Sequence, residues 1–140
     1  MYSSFYTIEQ FGPLLLLAVF WGGGLYNILN WQSAKKYLES KGFVFNTSLI
    51  LLGATIWQIG GATLAAFPST AEYGCLLMIV FTLLSSFLFY QFWRMTGVER
   101  YINFIFFLSN MGLVGGLLLL LGRIYVLKFP FDLKFIGPVY

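Results

Sequence analysis

Four long uncharged stretches dominate the chain, and charged or turn-forming residues separate them. Each stretch has about 20 residues, which is the length that an α-helix needs to cross a hydrocarbon core of about 30 Å. The pattern predicts four membrane-spanning helices over Phe11–Asn30, Phe45–Phe67, Glu72–Trp93 and Tyr101–Leu121. The predicted fold is therefore an all-α transmembrane four-helix bundle that forms a single membrane domain over the 140 residues.

The segments between the predicted spans are short and differ in character. Trp31–Val44 combines charged and aromatic residues, which is typical of a polar loop at the lipid headgroups, and Gly42 can end a short interfacial helix there. Pro68–Ala71 and Arg94–Arg100 are expected to be tight turns. The tail, Gly122–Tyr140, mixes charges with aromatic residues and prolines, so we expect it to lie along the membrane surface or against a partner.

Composition supports lipid as the solvent of this chain. Hydrophobic residues make up 59% of it and charged residues only 9%, whereas soluble domains carry about 25% charged residues. The formal net charge is +3 without any basic run, so we expect no nucleic-acid partner. The first span lacks the basic residues before it and the small-residue cleavage site after it that mark a signal peptide, so we expect it to be retained.

Missing residue types limit the chemistry that the chain can perform. It has no His and one cysteine, Cys75, so a metal centre, a protein-ligated cofactor and an intrachain disulfide are not expected. No ionisable residue lies inside the spans, so we predict no catalytic residues and no enzyme activity of the chain alone. Cys75 is interpreted as a buried structural thiol, and the alternative is thiol chemistry with an external partner.

Small residues recur four positions apart in every predicted span. Such pairs let helix backbones approach closely in lipid, where hydrophobic burial between helices contributes little. The pairs are Ala18 and Gly22, Gly61 and Ala65, Thr82 and Ser86, and Gly112 and Gly116. We expect these eight residues to lie at helix–helix contacts.

Uncharged polar residues within the spans are the candidate ligand-binding residues. They are Asn27, Gln58, Tyr90, Ser109 and Asn110. Because polar groups in hydrocarbon need partners, these side chains should face inward. They could line a cavity that opens between the two basic loops and reaches past mid-membrane, or they could simply join helices by hydrogen bonds.

The order and spacing of several motifs resemble the DoxX-like family of small four-helix membrane proteins. The resemblance covers about Phe11–Gly122, and the carrying segments are WGGGLYN, KKYLESKGF, IWQIGGATLAAF, TLLSSFLFYQFW and FFLSNMGLVGGLLLLLG. Members often carry ionisable groups where this chain has Asn27, Gln58, Tyr90 and Ser109. The resemblance implies sulfur or quinone redox chemistry at a bacterial inner membrane, or a role in a redox-defence complex. Neutral residues at these four positions could orient a neutral ligand but could not relay protons.

Three functions compete at this point. The first is a non-catalytic subunit or adaptor that binds membrane-protein partner subunits in a larger membrane complex. Redox chemistry is one function that such a complex could have. The second is a quinone- or lipid-binding component of a membrane oxidoreductase, with a flat ring held near Trp57, Phe87, Tyr90 and Phe107. The third is a small transporter or channel.

Basic residues are more numerous on the two odd-numbered loops, which favours cytoplasmic loops and external termini.

Overall fold

The computed structural model describes residues 2–128, and it describes the side chains of residues 11–127. This part of the chain contains five α-helices and one short 3₁₀ turn, and it contains no β-strand. The helices are α1 (Tyr2–Leu29), α2 (Trp31–Ser40), α3 (Thr47–Ala66), α4 (Ala71–Phe89) and α5 (Gly97–Lys128), and the 3₁₀ turn is Phe92–Arg94.

Four of these helices are long and apolar enough to cross a membrane. The apolar segments are Phe11–Leu29, Thr47–Ala66, Ala71–Arg94 and Gly97–Leu127. They confirm the predicted all-α bundle with membrane-crossing helices, and they indicate an integral, multi-pass membrane protein in contact with lipid. The short α2 is amphipathic and polar, and Gly42 follows it with a φ of 95°, a backbone conformation that glycine adopts without strain.

The predicted spans differ from the observed helices mainly at their ends. The fourth helix continues past the predicted boundary at Leu121 to Lys128, so Gly122–Lys128 is helical and the predicted end of the span at Leu121 is too early. One glycine costs a helix only about 1 kcal/mol, and the residues after Gly122 are compatible with a helix as far as Pro130. The remainder of the predicted tail, 129–140, lies outside the described residues.

The membrane-crossing helices are packed in the order α1, α3, α4, α5. Extensive contacts join α1 to α3, α3 to α4, and α4 to α5, whereas α1 and α5 touch at few positions. Because successive spans alternate in direction, one end of the bundle carries α2, the end of α4 and the start of α5. We call this end the α2 side, and we call the other end, where α3 meets α4, the turn side. The helix α2 packs on α3 and on the end of α1.

The apolar core lies in the half of the bundle nearer the turn side. Its buried side chains come from all four membrane-crossing helices: Leu17, Phe20, Ala62, Ala65, Cys75, Met78, Leu117 and Leu121. Cys75 is a free thiol with no exposed surface. The helices α3 and α4 approach each other closely at Gly74, where an added Cβ would overlap the backbone of Ala65.

Only part of the predicted small-residue set lies at helix contacts. Gly61, Ala65, Thr82 and Ser86 are buried between helices, and a Cβ on Gly61 would lie 2.5 Å from Met78 Sδ. Gly116 borders α1, since its Cβ would lie 3.2 Å from Leu16 Cδ1.

The assignments of Ala18, Gly22 and Gly112 to helix contacts are wrong within this chain. All three residues are exposed, and a Cβ on either glycine would meet no atom within 4 Å. On α1 the contact is made instead by Gly23 and Gly24, which face Gln58 and Ile59 of α3. Successive helical residues point about 100° apart, so a run of three glycines does not reveal which of them faces the neighbouring helix.

Candidate functional site

A cavity of about 510 Å³ lies in the half of the bundle nearer the α2 side. All five α-helices line it, and its volume falls within the range of about 300–1,000 Å³ that is usual for small-molecule sites. Its walls are mostly apolar, formed by residues such as Phe20, Leu51, Phe81, Phe89 and Leu113. A small number of uncharged polar side chains interrupt these walls.

Four of the five predicted ligand-binding residues lie at this cavity. Asn27 comes from α1, Gln58 from α3, Tyr90 from the end of α4 and Asn110 from α5. Ligand binding by these residues stays a prediction, but the structure brings them to one cavity. Thr82, predicted above only as a helix-packing residue, and Ser85, which was not predicted as a site residue, also line it from α4.

Ser109 does not line the cavity. Its side chain is exposed, and its hydroxyl donates a hydrogen bond of 2.9 Å to the carbonyl oxygen of Ile105 in the same helix. Since neighbouring helical positions point about 100° apart, Asn110 faces the interior and Ser109 faces outward. The inclusion of Ser109 in the site is therefore wrong for this cavity.

Hydrogen bonds tie one wall of the cavity together. Asn110 Nδ2 donates to Ser86 Oγ over 3.0 Å, and Ser86 Oγ donates to the carbonyl oxygen of Thr82 over 2.6 Å. Ser86 is fully buried, and Thr82 is nearly so. Asn110 therefore joins α5 to α4 while it lines the cavity, so the two interpretations of the polar residues, helix joining and cavity lining, both hold for this side chain.

The position of Gln58 depends on a glycine in α1. A Cβ on Gly23 would lie only 2.5 Å from Gln58 Nε2, so the glycine leaves the space that the amide occupies. A Cβ on the preceding residue, Gly22, would meet nothing. The glycine-rich segment WGGGLYN was the sequence signal for this close approach, although it did not identify Gly23 as the residue concerned.

The helix α2 covers the cavity toward the water on its own side. Tyr37 and Leu38 line the cavity, and Leu38 is only 5% exposed. The ring of Tyr37 lies 6.1 Å from that of Phe89, and the ring of Phe43 lies 5.6 Å from it. Burial, with a smaller contribution from Tyr90, raises the pKa of Tyr37, so its phenol is protonated and uncharged at neutral pH.

The predicted aromatic ring site is only partly correct, because three of its four residues do not line the cavity. Trp57 is turned toward α4, where its Nε1 donates to the carbonyl oxygen of Leu77 over 3.0 Å. Phe87 packs edge-on against Phe107 at 5.5 Å, in a separate aromatic cluster that includes the 3₁₀ turn. The aromatic residues that do line the cavity are Phe20, Tyr26, Tyr37, Phe81, Phe89 and Tyr90.

The described residues that line the cavity include no Asp, Glu, Lys, Arg or Cys. The polar ones carry amides, hydroxyls and phenols, which donate and accept hydrogen bonds without changing protonation near neutral pH. The described part of the chain also has no group of three His, Cys, Asp or Glu residues placed to hold a metal ion. The cavity is therefore suited to a neutral molecule that has a few hydrogen-bonding groups on an apolar frame.

No family model, curated protein or solved structure matches this chain. The resemblance to the DoxX-like family thus stays an interpretation of sequence motifs, and the cavity itself is the basis for a functional proposal.

Proposed function

We propose that this protein binds a neutral amphipathic molecule, a quinone or a lipid, in the cavity within the bundle. The observation that carries the proposal is that Asn27, Gln58, Tyr90 and Asn110 converge on a mostly apolar cavity of about 510 Å³. Polar groups at this depth are costly unless they are paired, so a cavity that gathers several of them is a candidate binding site.

The chemistry of the lining favours carbonyl-bearing ligands. The amides of Gln58 and Asn27 and the phenol of Tyr90 provide donors, and the aromatic walls suit a flat ring. Among residues 11–127, no cation lines the cavity to balance an anion, and transfer of an unpaired charge into an apolar site is strongly unfavourable. A quinone ring or the ester region of a lipid meets both conditions.

The role that fits this lining is non-catalytic. With no group in the cavity that titrates near neutral pH, electrons would reside on the bound molecule and protons would come from elsewhere. We therefore place the protein, as a proposal, in a larger membrane complex with redox chemistry, similar to the DoxX-like assemblies and in a bacterial inner membrane. Support for partners comes from the exposed small residues Ala18, Gly22, Gly112 and Gly115, since small residues on a lipid-facing helix allow another helix to approach.

Binding can be tested with the full chain in nanodiscs, titrated with a short-chain benzoquinone and followed by quenching of tryptophan fluorescence. Gln58→Leu removes an amide, and Gly23→Ala places a methyl group against that amide. Each variant should weaken binding by about 2- to 10-fold, the effect of one lost hydrogen bond. Gly22→Ala and Ser109→Ala change neighbouring exposed residues and should bind like the wild type. Equal affinity in all five proteins, or no saturable binding, would contradict the proposal.

The complex can be tested separately. Purification in mild detergent should recover a stoichiometric membrane partner with the wild-type protein. Gly22→Leu, which projects a large side chain from an exposed position, should release that partner without altering quinone affinity. Recovery of the chain as a homogeneous monomer with undiminished function would count against the adaptor role.

A further inference from the structure

A second concavity, with a volume of about 540 Å³, lies between α1 and α5 nearer the turn side. We call it the α1–α5 groove. It is almost entirely apolar, and its lining residues are Gly12, Pro13, Leu15, Leu16, Gly116, Leu119, Leu120 and Arg123. Arg123 is the charged residue among the described residues that line the groove, and the rest of this lining is apolar or glycine.

The groove and the cavity are successive sections of one seam. On α1, lining residues recur at each turn from Gly12 and Leu16 in the groove to Val19, Gly23 and Asn27 in the cavity. On α5 the corresponding series is Leu120 and Gly116 in the groove, then Leu113 and Asn110 in the cavity. These spacings of three or four residues keep each series on one helix face.

The seam is open to the side because its two helices are the first and last of the bundle. They touch at few positions, and Gly116 presents no side chain to Leu16 where they come close. Beneath the groove, Leu17 and Leu117 are buried and close the interior. In the cavity section, Val19 and Tyr26 both line the cavity and are more than half exposed, at 52% and 65%, so the cavity opens toward lipid along this flank of α1.

Polarity changes along the seam in one direction. The cavity section contains Asn27, Gln58 and Asn110, whereas the α5 residues that line the seam beyond Asn110 are apolar as far as Leu120, roughly 15 Å along the helix. On the α2 side, the helix α2 lies between the cavity and the water. A ligand that matches both sections has a polar head and a long apolar chain, and it reaches the cavity from the membrane.

We infer that the ligand of the cavity is an amphiphile that enters sideways between α1 and α5, with its head at Gln58 and Asn110 and its apolar chain in the α1–α5 groove. This inference rests on the proposed function and adds the class of ligand and its route. The chain gains little hydrophobic free energy when it moves from lipid into the groove. Its fit against Gly12 and Gly116 therefore determines which amphiphiles are held.

The test compares a quinone that carries a long isoprenoid chain with the same ring on a short chain, in nanodiscs of phosphatidylcholine. Gly116→Leu fills the groove, and its matched control is Gly115→Leu, which places the same side chain at an exposed position with no neighbour within 4 Å. We expect Gly116→Leu to lower the affinity for the long-chain quinone by about fivefold or more, a typical consequence of overpacking. The affinity for the short-chain quinone should be unchanged. Gly115→Leu should leave both unchanged.

A second variant guards against misfolding of the first. Gly12→Leu also fills the groove, and a Cβ at this position meets no atom within 4 Å, so it should fold normally and repeat the selective loss of the long-chain ligand. If long- and short-chain quinones respond alike to both groove variants, the inference fails while the proposed function stands. If neither quinone binds the wild type, the proposed function fails as well.

An ordinary membrane phospholipid is the alternative occupant of the groove, with its phosphate at Arg123 and its acyl chain directed toward mid-membrane. The variant Arg123→Gln distinguishes the two occupants. An amphiphile whose head is in the cavity should bind this variant as tightly as it binds the wild-type protein. Displacement of the long-chain quinone by an anionic phospholipid, abolished in Arg123→Gln and unaffected in Gln58→Leu, would overturn the inference.

Discussion

Asn110 on α5 donates a hydrogen bond of 3.0 Å from its Nδ2 to the Oγ of Ser86 on α4. The acceptor is completely buried, and the donor lies at the wall of the polar-lined cavity. One side chain thus joins two membrane-crossing helices and lines the candidate site. The stability of the bundle and the shape of the cavity are therefore coupled at Asn110.

Loss of the Ser86 hydroxyl should destabilise the bundle measurably. Ser86→Ala removes the acceptor of the interhelical bond, and such bonds in membrane proteins contribute about 0.6 kcal/mol on average and up to about 1.7 kcal/mol. We expect a lower midpoint of unfolding in a denaturing-detergent titration. Ser109→Ala is the matched control, because that hydroxyl is exposed and bonds within its own helix, and it should leave the midpoint unchanged. Identical midpoints for the two variants would show that the interhelical bond contributes nothing.

Removal of a different buried hydroxyl should stabilise the protein. Thr55 is 4% exposed, and its Oγ1 has no hydrogen-bond partner, unlike the other buried side-chain polar atoms among the described residues. Thr55→Val keeps the shape and removes an unpaired polar group, so we expect a gain of about 1 kcal/mol in the free energy of unfolding. Thr82→Val is the control and should not gain stability, because the hydroxyl of Thr82 already donates to the carbonyl oxygen of Met78 over 2.7 Å. Destabilisation by Thr55→Val would mean that its hydroxyl is paired.

The contact between α3 and α4 should tolerate no side chain at Gly74. A methyl group there would overlap the backbone of Ala65 and Leu64, and a backbone cannot move aside as a flexible side chain can. We expect Gly74→Ala to lower the free energy of unfolding by about 1–3 kcal/mol or more, because this is the usual cost of overpacking. Gly53→Ala meets no atom within 4 Å and should be neutral or stabilising, since alanine favours a helix by about 1 kcal/mol over glycine. Equal stability of the two variants would refute the close approach.

The number of spans and the all-α class were predictable from the sequence because they depend on the lengths of apolar stretches and on the scarcity of charge. Lipid imposes this constraint strongly, since an unsatisfied backbone or an unpaired charge in hydrocarbon is so unfavourable. The depth of each polar residue followed from the same count. The predicted group was Asn27, Gln58, Tyr90, Ser109 and Asn110, and the structure brings all of these except Ser109 to one cavity.

The direction in which each side chain points was not predictable. In a soluble helix a polar face marks the outward side, but the spans here are apolar all round, so periodicity gives no orientation. This is why Ser109 could not be told from Asn110, nor Gly22 from Gly23, although each pair differs by about 100°. The interior position of Phe20 and the outward one of Phe87 depend likewise on packing between distant segments.

The orientation of the bundle in the membrane can be tested with introduced thiols, because the native thiol of Cys75 is fully buried and should not react. Ser40 is the last residue of α2, and Ser69 lies in the turn between α3 and α4. The two exposed serines are therefore at opposite ends of the bundle. The excess of basic residues on the α2 side predicts that this side is cytoplasmic. A membrane-impermeant maleimide should therefore label Ser69→Cys in intact cells and Ser40→Cys only in inverted vesicles. The opposite pattern would reverse the orientation, and labelling of both from one side would contradict a bundle in which α3 crosses the membrane.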